Sequence, residues 1–487
     1  MTLKQKTVDG LIWSFIDNIL SQGVTFIVGI ILARILSPKE FGLIGIITIF
    51  IAISTSFINS GFGTALIKKH NCTDKDFSTV FFYNIFLGFL FYAILFFAAD
   101  PIAIFFNEPS LTKIIQVIGI VLIIDSITII QRTILTIRID FKLQTKISII
   151  SSILSGIVAI YLAYNGFGVW SLVVKQILQQ TITALLLWIW NGWIPIFIFS
   201  LSSFKELFIF GYKLLISGLL DTIYRNIYYT IIGKYFSAED LGYYTRADQF
   251  QSLPSSNLQN IIGRVSFPIL ASIQNETSVL NDAYRKLTRS TMLITFILML
   301  GLASTAKSLI LTLIGNKWEP SIIYLQLLCF VGMFYPLHAL NLNILQVKGR
   351  SDLFLKLEII KKILAIPIII IGIFWSVKAM IIGMIVNSII AFYLNSYWSG
   401  KFINYSTLDQ IKDILPSFIL ASVICTTVFF IGFINFLNPI FLLTIQIFIG
   451  AGLFILISEL IQLNDYLYIK KLAFEKLQSL KFYDRKA

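Results

Sequence analysis

Apolar runs of roughly 20 residues recur along the whole of this 487-residue chain, each long enough to cross a hydrocarbon core of ~30 Å. They lie at about 11–33, 42–66, 78–99, 112–136, 147–165, 168–190, 207–233, 248–272, 290–314, 321–346, 357–376, 377–398, 414–436 and 438–462. Inside a bilayer only helices and closed barrels satisfy every backbone polar group, and runs of this length read as helices. A mean hydropathy of +0.85, with 57% hydrophobic and 13% charged residues, excludes a soluble globular domain. The first run is too long for a signal-peptide core, and no A-x-A-like cleavage site follows it, so it reads as a spanning helix. The expected fold is an all-α integral membrane protein with about 14 transmembrane helices.

The net charge of +13 invites a nucleic-acid reading, but its distribution follows topology. With the N-terminus placed in the cytoplasm and sides alternating, 23 of the 38 Lys and Arg fall in cytoplasmic connections and 7 in opposite ones. The remaining 8 lie within or at the ends of spans: Arg132, Lys175, Lys213, Arg225, Arg264, Lys307, Lys361 and Lys362. This is the positive-inside bias, and it puts both termini in the cytoplasm. Cys72 falls in a connection while Cys329 and Cys425 fall in separate spans, so no disulfide framework is implied.

The chain also repeats itself. A shift of 200 lays LARILSPKEFGLIG (32–45) on IGKYFSAEDLGYYT (232–245), pairing Ser37 with Ser237, Glu40 with Asp240 and Gly42 with Gly242. A shift of 210 lays ILTIRIDFK (134–142) on ILQVKGRSD (344–352). Six spans return a chain to its starting side, so the expectation is two six-helix bundles, 1–200 and 201–400, related by an axis along the membrane normal. The last two spans (410–463) stand outside the repeat, and a basic tail (464–487) follows. In transporters built this way the substrate site lies between the halves. The eighth span, DQFQSLPSSNLQNIIGRVSFPILAS, is too polar to face lipid, and Gln249, Asn257, Gln259, Asn260 and Arg264 imply a watery, protein-enclosed cavity. Its counterpart is the small and polar stretch TSFINSGFGTALI (55–67), which serves either that cavity or close helix packing.

One set of residues carries a resemblance. Arg225-Asn226, Gly233-Lys234, Leu241-Gly242-Tyr243-Tyr244-x-Arg246-Ala247, Leu253-Pro254, Val265-x-Phe267-Pro268 and Gln274 resemble the polysaccharide-transporter branch of the MOP exporter superfamily. More narrowly, the chain is similar to Wzx-type flippases of the colanic-acid and teichuronic-acid exporter kind. In the first half LSPKEFGLIGI (36–46), SGFGTALIKK (60–69), DFSTVFFYNIFLG (76–88), IAIFFNEPSL (102–111) and FGVWSLV (167–173) agree, and the resemblance runs to about residue 400. One departure is Tyr228, where the pattern has an acidic residue. The resemblance implies a flippase that moves undecaprenyl-diphosphate-linked oligosaccharide units from the inner to the outer leaflet of the bacterial cytoplasmic membrane. Lipopolysaccharide O-antigen, capsule or exopolysaccharide synthesis would follow, with polymerase machinery as a partner and with no cofactor, metal or covalent chemistry.

Such a substrate needs cations for its phosphates and hydrogen-bonding groups for its sugars. The planar fork of arginine engages phosphate oxygens bidentately. Arg225 and Arg264 lie deepest within spans and are the expected diphosphate ligands; Arg225 also stands one turn from Asp221, within reach of an internal ion pair. Asn59, Gln249, Asn257, Gln259 and Asn260 are the candidate sugar ligands, and Asp17, Asp125 and Asp221 the candidate ion-coupling groups. His338 reads as a buried, hydrogen-bonded histidine, and Arg132, Lys361 and Lys362 as charges near the cytoplasmic ends of spans. No G-x-x-x-x-G-K-[ST] loop occurs, so the chain itself does not hydrolyse ATP by that route; the membrane potential offers ~2.3 kcal/mol per charge per 100 mV. Two alternatives stay open. A MATE-like multidrug exporter would share the architecture but favour an acidic cavity. A membrane glycosyltransferase or polymerase would need a large extracytoplasmic loop, and the longest here has about 14 residues.

Overall fold

The computed structural model describes residues 20–69, 71–434, 437–471 and 474–475, apart from the side chains of Arg264 and Val265. Among them every regular element is helical, and the chain is a multi-pass membrane protein. It packs as two compact units, Met1–Thr245 and Arg246–Ala487. The first holds α1 (Leu20–Ile35), α2 (Pro38–Asn59), α3 (Phe62–Lys68), α4 (Asp74–Phe106), α5 (Leu111–Ile118), α6 (Ile120–Ile137), α7 (Phe141–Tyr164), α8 (Val169–Asn191) and α9 (Leu201–Tyr235). α10 (Ala238–Ser272) begins in the first unit and continues into the second. The second unit goes on with α11 (Thr277–Leu313), a 3₁₀ turn (Asn316–Trp318), α12 (Pro320–Gly332), α13 (Tyr335–Val347), α14 (Ser351–Trp375), α15 (Val377–Ile403), α16 (Thr407–Ile431) and α17 (Pro439–Leu460).

Eleven helices among the described residues are long and apolar enough to span a membrane, counting α2–α3, α5–α6 and α12–α13 as one each. Three of the expected spans fall outside that set for separate reasons. The first is described only from Leu20, α10 is polar along much of its length, and α14 carries Asp352, Lys356, Glu358, Lys361 and Lys362.

Helix starts are written in short capping sequences, which satisfy donors that the helix itself leaves orphaned. Ser37 and Glu40 close a capping box on α2 (Ser37 N to Glu40 Oε2 2.6 Å), with Pro38 in the first turn. Thr73 with Asp76 does the same for α4, and Ser406 with Asp409 for α16. At α10 the Asp240 N–H donates to Ser237 Oγ at 2.9 Å, while that hydroxyl donates to Asp240 Oδ2 at 2.6 Å.

In the first unit α2 and α9 run antiparallel. Gly233 abuts Ile46, Ser56 Oγ lies 3.1 Å from Thr222 Oγ1, and Gly211 meets the Ser60–Gly61 kink. That kink separates α2 from α3 through two left-handed residues, Ser60 (φ 44°) and Gly61 (φ 69°). A side chain at Gly61 would strike the Gly211 carbonyl and Leu214, so glycine is required there for space as well as for φ. A second break, at Gly119, divides α5 from α6. Phe62, Leu66, Phe81, Ile130 and Trp193 form a buried cluster at one end of this unit.

In the second unit α11, 37 residues long, packs against α12, α16 and α17. Arg285 grips Asp413 of α16 with two parallel hydrogen bonds (Nε to Oδ2 2.8 Å, Nη2 to Oδ1 3.2 Å), and the Tyr405 hydroxyl donates to the same Oδ2 at 2.7 Å. One turn on, Arg289 pairs with Asp465, beyond the end of α17, at 3.4 Å, so α16 and the segment after α17 are each fastened to α11 by an ion pair. Between α12 and α13 the helix breaks at Met333–Phe334, and the Gln251 amide of α10 fills the notch left by Gly332.

Candidate functional site

Several polar residues of the first unit lie at the antiparallel crossing of α2 and α9. Ser56 and Thr222 join the two helices there, and Asn226 Nδ2 donates to the Thr222 carbonyl at 2.8 Å. Asn59 lies a turn from that contact along α2 and Arg225 a turn from it along α9; because the helices are antiparallel, the two flank it on opposite sides. Both side chains are exposed, as is Asp221, one turn before Arg225. Arg225 stands ten residues, ~15 Å, from the C-terminal end of a 35-residue helix whose burial is slight, well inside hydrocarbon depth. An open guanidinium at that depth implies water or a polar ligand beside it. Tyr228, the departure from the family pattern, is buried at 5% exposure.

The candidates on α10 divide by depth of packing. Gln249 and Asn257 are half-buried, and Asn257 Nδ2 is turned back to the Leu253 carbonyl at 2.8 Å. Gln259 and Asn260 are exposed. Gln251 and Ser255, which the sequence did not distinguish from their polar neighbours, are the buried members: Gln251 Nε2 donates to Ser255 Oγ at 2.9 Å beside Gly332. The only sequence signal for that role is the glycine opposite. The Arg264 side chain and Asp17 lie outside the described residues.

Asp125 is half-buried on α6, six residues beyond the break at Gly119. His338 is six residues beyond Gly332 on α13, stacked on Phe334, with Asn395 Nδ2 at 3.4 Å from its Nδ1. Nearby, Ser399 Oγ donates to Asn341 Oδ1 at 2.5 Å, and Asn343 Nδ2 donates to Ser266 Oγ at 2.7 Å. Lys361 is sequestered more than its expected place near a helix end implies: its side chain is 12% exposed and paired with Glu358 on the same helix. Among the described residues no three His, Cys, Asp or Glu side chains gather as metal ligands.

A cavity of about 320 Å³ opens in the first unit, between α2, α5 and α8. Its walls are mainly isoleucines, with Thr48, Thr55 and Gln176 as the polar lining.

Comparison with known proteins places this geometry. A family model described as polysaccharide biosynthesis protein matches residues 31–323. The teichuronic acid biosynthesis protein TuaB of Bacillus subtilis (strain 168) is 32% identical over 299 residues, 61% of this chain and 62% of TuaB. The match thus spans about three fifths of that relative's length. The lipopolysaccharide biosynthesis protein WzxC of Escherichia coli (strain K12) is 26% identical over 380 residues, 76% of each chain. Among solved structures, the lipid II flippase MurJ in an inward closed conformation superposes with a TM-score of 0.75 over 93% of this chain and 98% of that one, at 15% identity. An inward-facing MATE-family multidrug resistance transporter of the MOP superfamily gives 0.61 over 79% and 94%, also at 15% identity. The structural likenesses establish the transporter fold, and the match in sequence gives the family: the chain belongs to the polysaccharide biosynthesis protein family.

Proposed function

We propose that this protein is a flippase for undecaprenyl-diphosphate-linked oligosaccharide units, carrying them from the inner to the outer leaflet of the bacterial cytoplasmic membrane by alternating access and without covalent chemistry. The observation that carries this reading is Arg225, an exposed guanidinium at hydrocarbon depth one turn from the Ser56–Thr222 contact, with exposed Asn59 one turn from that contact on its other side. A permanently charged fork suits a diphosphate, and amides and hydroxyls suit sugar. Relatives named for teichuronic acid, lipopolysaccharide and succinoglycan biosynthesis support a cell-surface polysaccharide precursor as cargo.

In this reading Arg225 and Arg264 hold the diphosphate, while Asn59, Gln249, Asn257, Gln259 and Asn260 meet the sugars. Asp17, Asp125 and Asp221 are the carboxylates for ion coupling. The repeats 1–200 and 201–400 are the functional halves, and both termini are cytoplasmic. Polymerase machinery takes the product.

The test is leaflet accessibility of a fluorescent undecaprenyl-diphosphate oligosaccharide in vesicles holding the purified protein, with and without a membrane potential. Translocation that depends on the protein supports the reading. Efflux of an organic cation in its place would assign the chain to drug export.

A further inference from the structure

The connection between α8 and α9 is unlike the others of the first unit. Residues 192–200, GWIPIFIFS, form no helix and run in irregular, extended backbone. Yet their side chains are apolar and open: Phe197 is 96% exposed, Ile194 74%, Phe199 50% and, at the start of α9, Leu201 62%. A nine-residue segment of this composition facing water is a costly surface.

Part of its backbone is satisfied from within. The Ile196 N–H donates to Ser78 Oγ at 3.0 Å and the Ser200 N–H to Thr79 Oγ1 at 3.0 Å, both on the first turns of α4. The Trp193 carbonyl accepts from Gln131 Nε2 at 3.0 Å, and its indole N–H donates to Asp74 Oδ1 at 3.2 Å. Gln131 is held in turn by Asn191, whose Oδ1 accepts from Arg138 at 3.1 Å. Non-helical backbone can enter an apolar medium only when its donors and acceptors are met by protein in this way.

The segment lies level with the ends of α3, α6 and α8 and the starts of α4, α7 and α9, the face carrying the basic connections 67–77 and 137–146. Lys68, Lys142 and Lys205 are exposed on these elements, and Trp188 and Trp190 precede the segment. Aromatic side chains beside lysines are the composition of a membrane–water interface, where rings sit at headgroup level and ammonium groups meet lipid phosphates.

We propose that residues 192–200 are an interfacial strap, with Ile194, Phe197 and Phe199 inserted among the lipid chains just below the anionic headgroups of the leaflet on that face. The strap fixes the depth at which α9 enters the bilayer. That helix needs such a hold, because over its first half only Leu207 and Gly211 are buried. The occupant of the exposed face is lipid, and this assignment is independent of the cargo.

The test uses the full-length chain with Cys72, Cys329 and Cys425 replaced by alanine and single spin labels at Ile194→Cys, Phe197→Cys and, as the aqueous reference, Lys205→Cys. In vesicles of phosphatidylethanolamine and phosphatidylglycerol, the labels at 194 and 197 are expected to collide with oxygen several-fold more, relative to a soluble nickel chelate, than the label at 205. Removing phosphatidylglycerol is expected to raise chelate access at 197. A label at 197 as chelate-accessible as that at 205 overturns the strap. A label screened from both reagents does so too, by pointing to a protein partner.

Discussion

Gly42 and Gly242, 200 residues apart, fill the same role in opposite directions. A Cβ on Gly42 would strike the backbone of Ala238, the first residue of α10, and a Cβ on Gly242 would strike the backbone of Pro38, the first residue of α2. Each of the two helix starts thus supplies a glycine against which the other is pressed. Two short motifs, SPKEFG and SAEDLG, make one symmetric crossing, with Ser37 and Ser237 capping the two helices that meet.

Gly42→Ala and Gly242→Ala should therefore each destabilise the protein by ~1–3 kcal/mol, the usual cost of overpacking, although alanine is the better helix former. Because either methyl separates the same pair of helices, the double variant should cost clearly less than the sum. Thermal unfolding in detergent of the two single variants and the double one decides it. Strict additivity would mean that the contacts are independent.

Arg225→Ala should lower translocation of a diphosphate-linked oligosaccharide at least tenfold while leaving stability within ~0.5 kcal/mol, since the side chain is exposed. Arg225→Lys should recover part of the activity, because lysine keeps the charge and loses the fork. The leaflet assay with a melting curve on the same preparations separates the two effects. Equal activity of the arginine and alanine forms would remove Arg225 from the site.

Asp413→Asn should weaken the attachment of α16 to α11. The carboxylate is 12% exposed and its Arg285 partner 43%, so solvent screening reduces the loss from that of a fully buried pair to ~1–2 kcal/mol. Limited proteolysis should then cut near residues 404–406 sooner than in the parent. Tyr405→Phe, which removes one of the hydrogen bonds to the same oxygen, should do less.

Lys69 bridges Glu206 of α9 (2.8 Å) and Asp76 of α4 (3.0 Å). Its pKa is raised above the usual 10.5, chiefly by the hydrogen bond to Glu206. A raised cation contributes stability fully below 10.5, and that contribution fades as pH climbs through the folded value. The melting-temperature gap between the parent and Lys69→Met should accordingly be the same at pH 7 and pH 9 and shrink by pH 11. A gap that already narrows by pH 9 would contradict the assignment.

Much of the helical plan is legible because hydropathy over 20 residues is a strong signal: the runs at 42–66 and 78–99 fall within α2–α3 and α4. Arg225 is legible for the same reason, as a charge within an apolar run. The breaks are not. Gly119 sits in an apolar stretch where a glycine is ordinary, and the Ser60–Gly61 kink reads only as a small, polar patch. On α10, polar residues occur around the whole helix, so sequence gives no phase to set buried Gln251 apart from exposed Gln259. The apolar strap escapes notice because IPIFIF is too short to count as a span and lies inside a connection.

α10 has one more consequence. It is a single helix of 35 residues, with Pro254 and Pro268 inside it, and the boundary between the two units, at Thr245 and Arg246, falls before either proline. The border is a stretch of hydrogen-bonded helix with no loop in it. Cutting the chain at that border therefore breaks helical hydrogen bonds that a cut in a loop would spare. For the same reason a split version of the protein is better opened at another connection, leaving this helix whole.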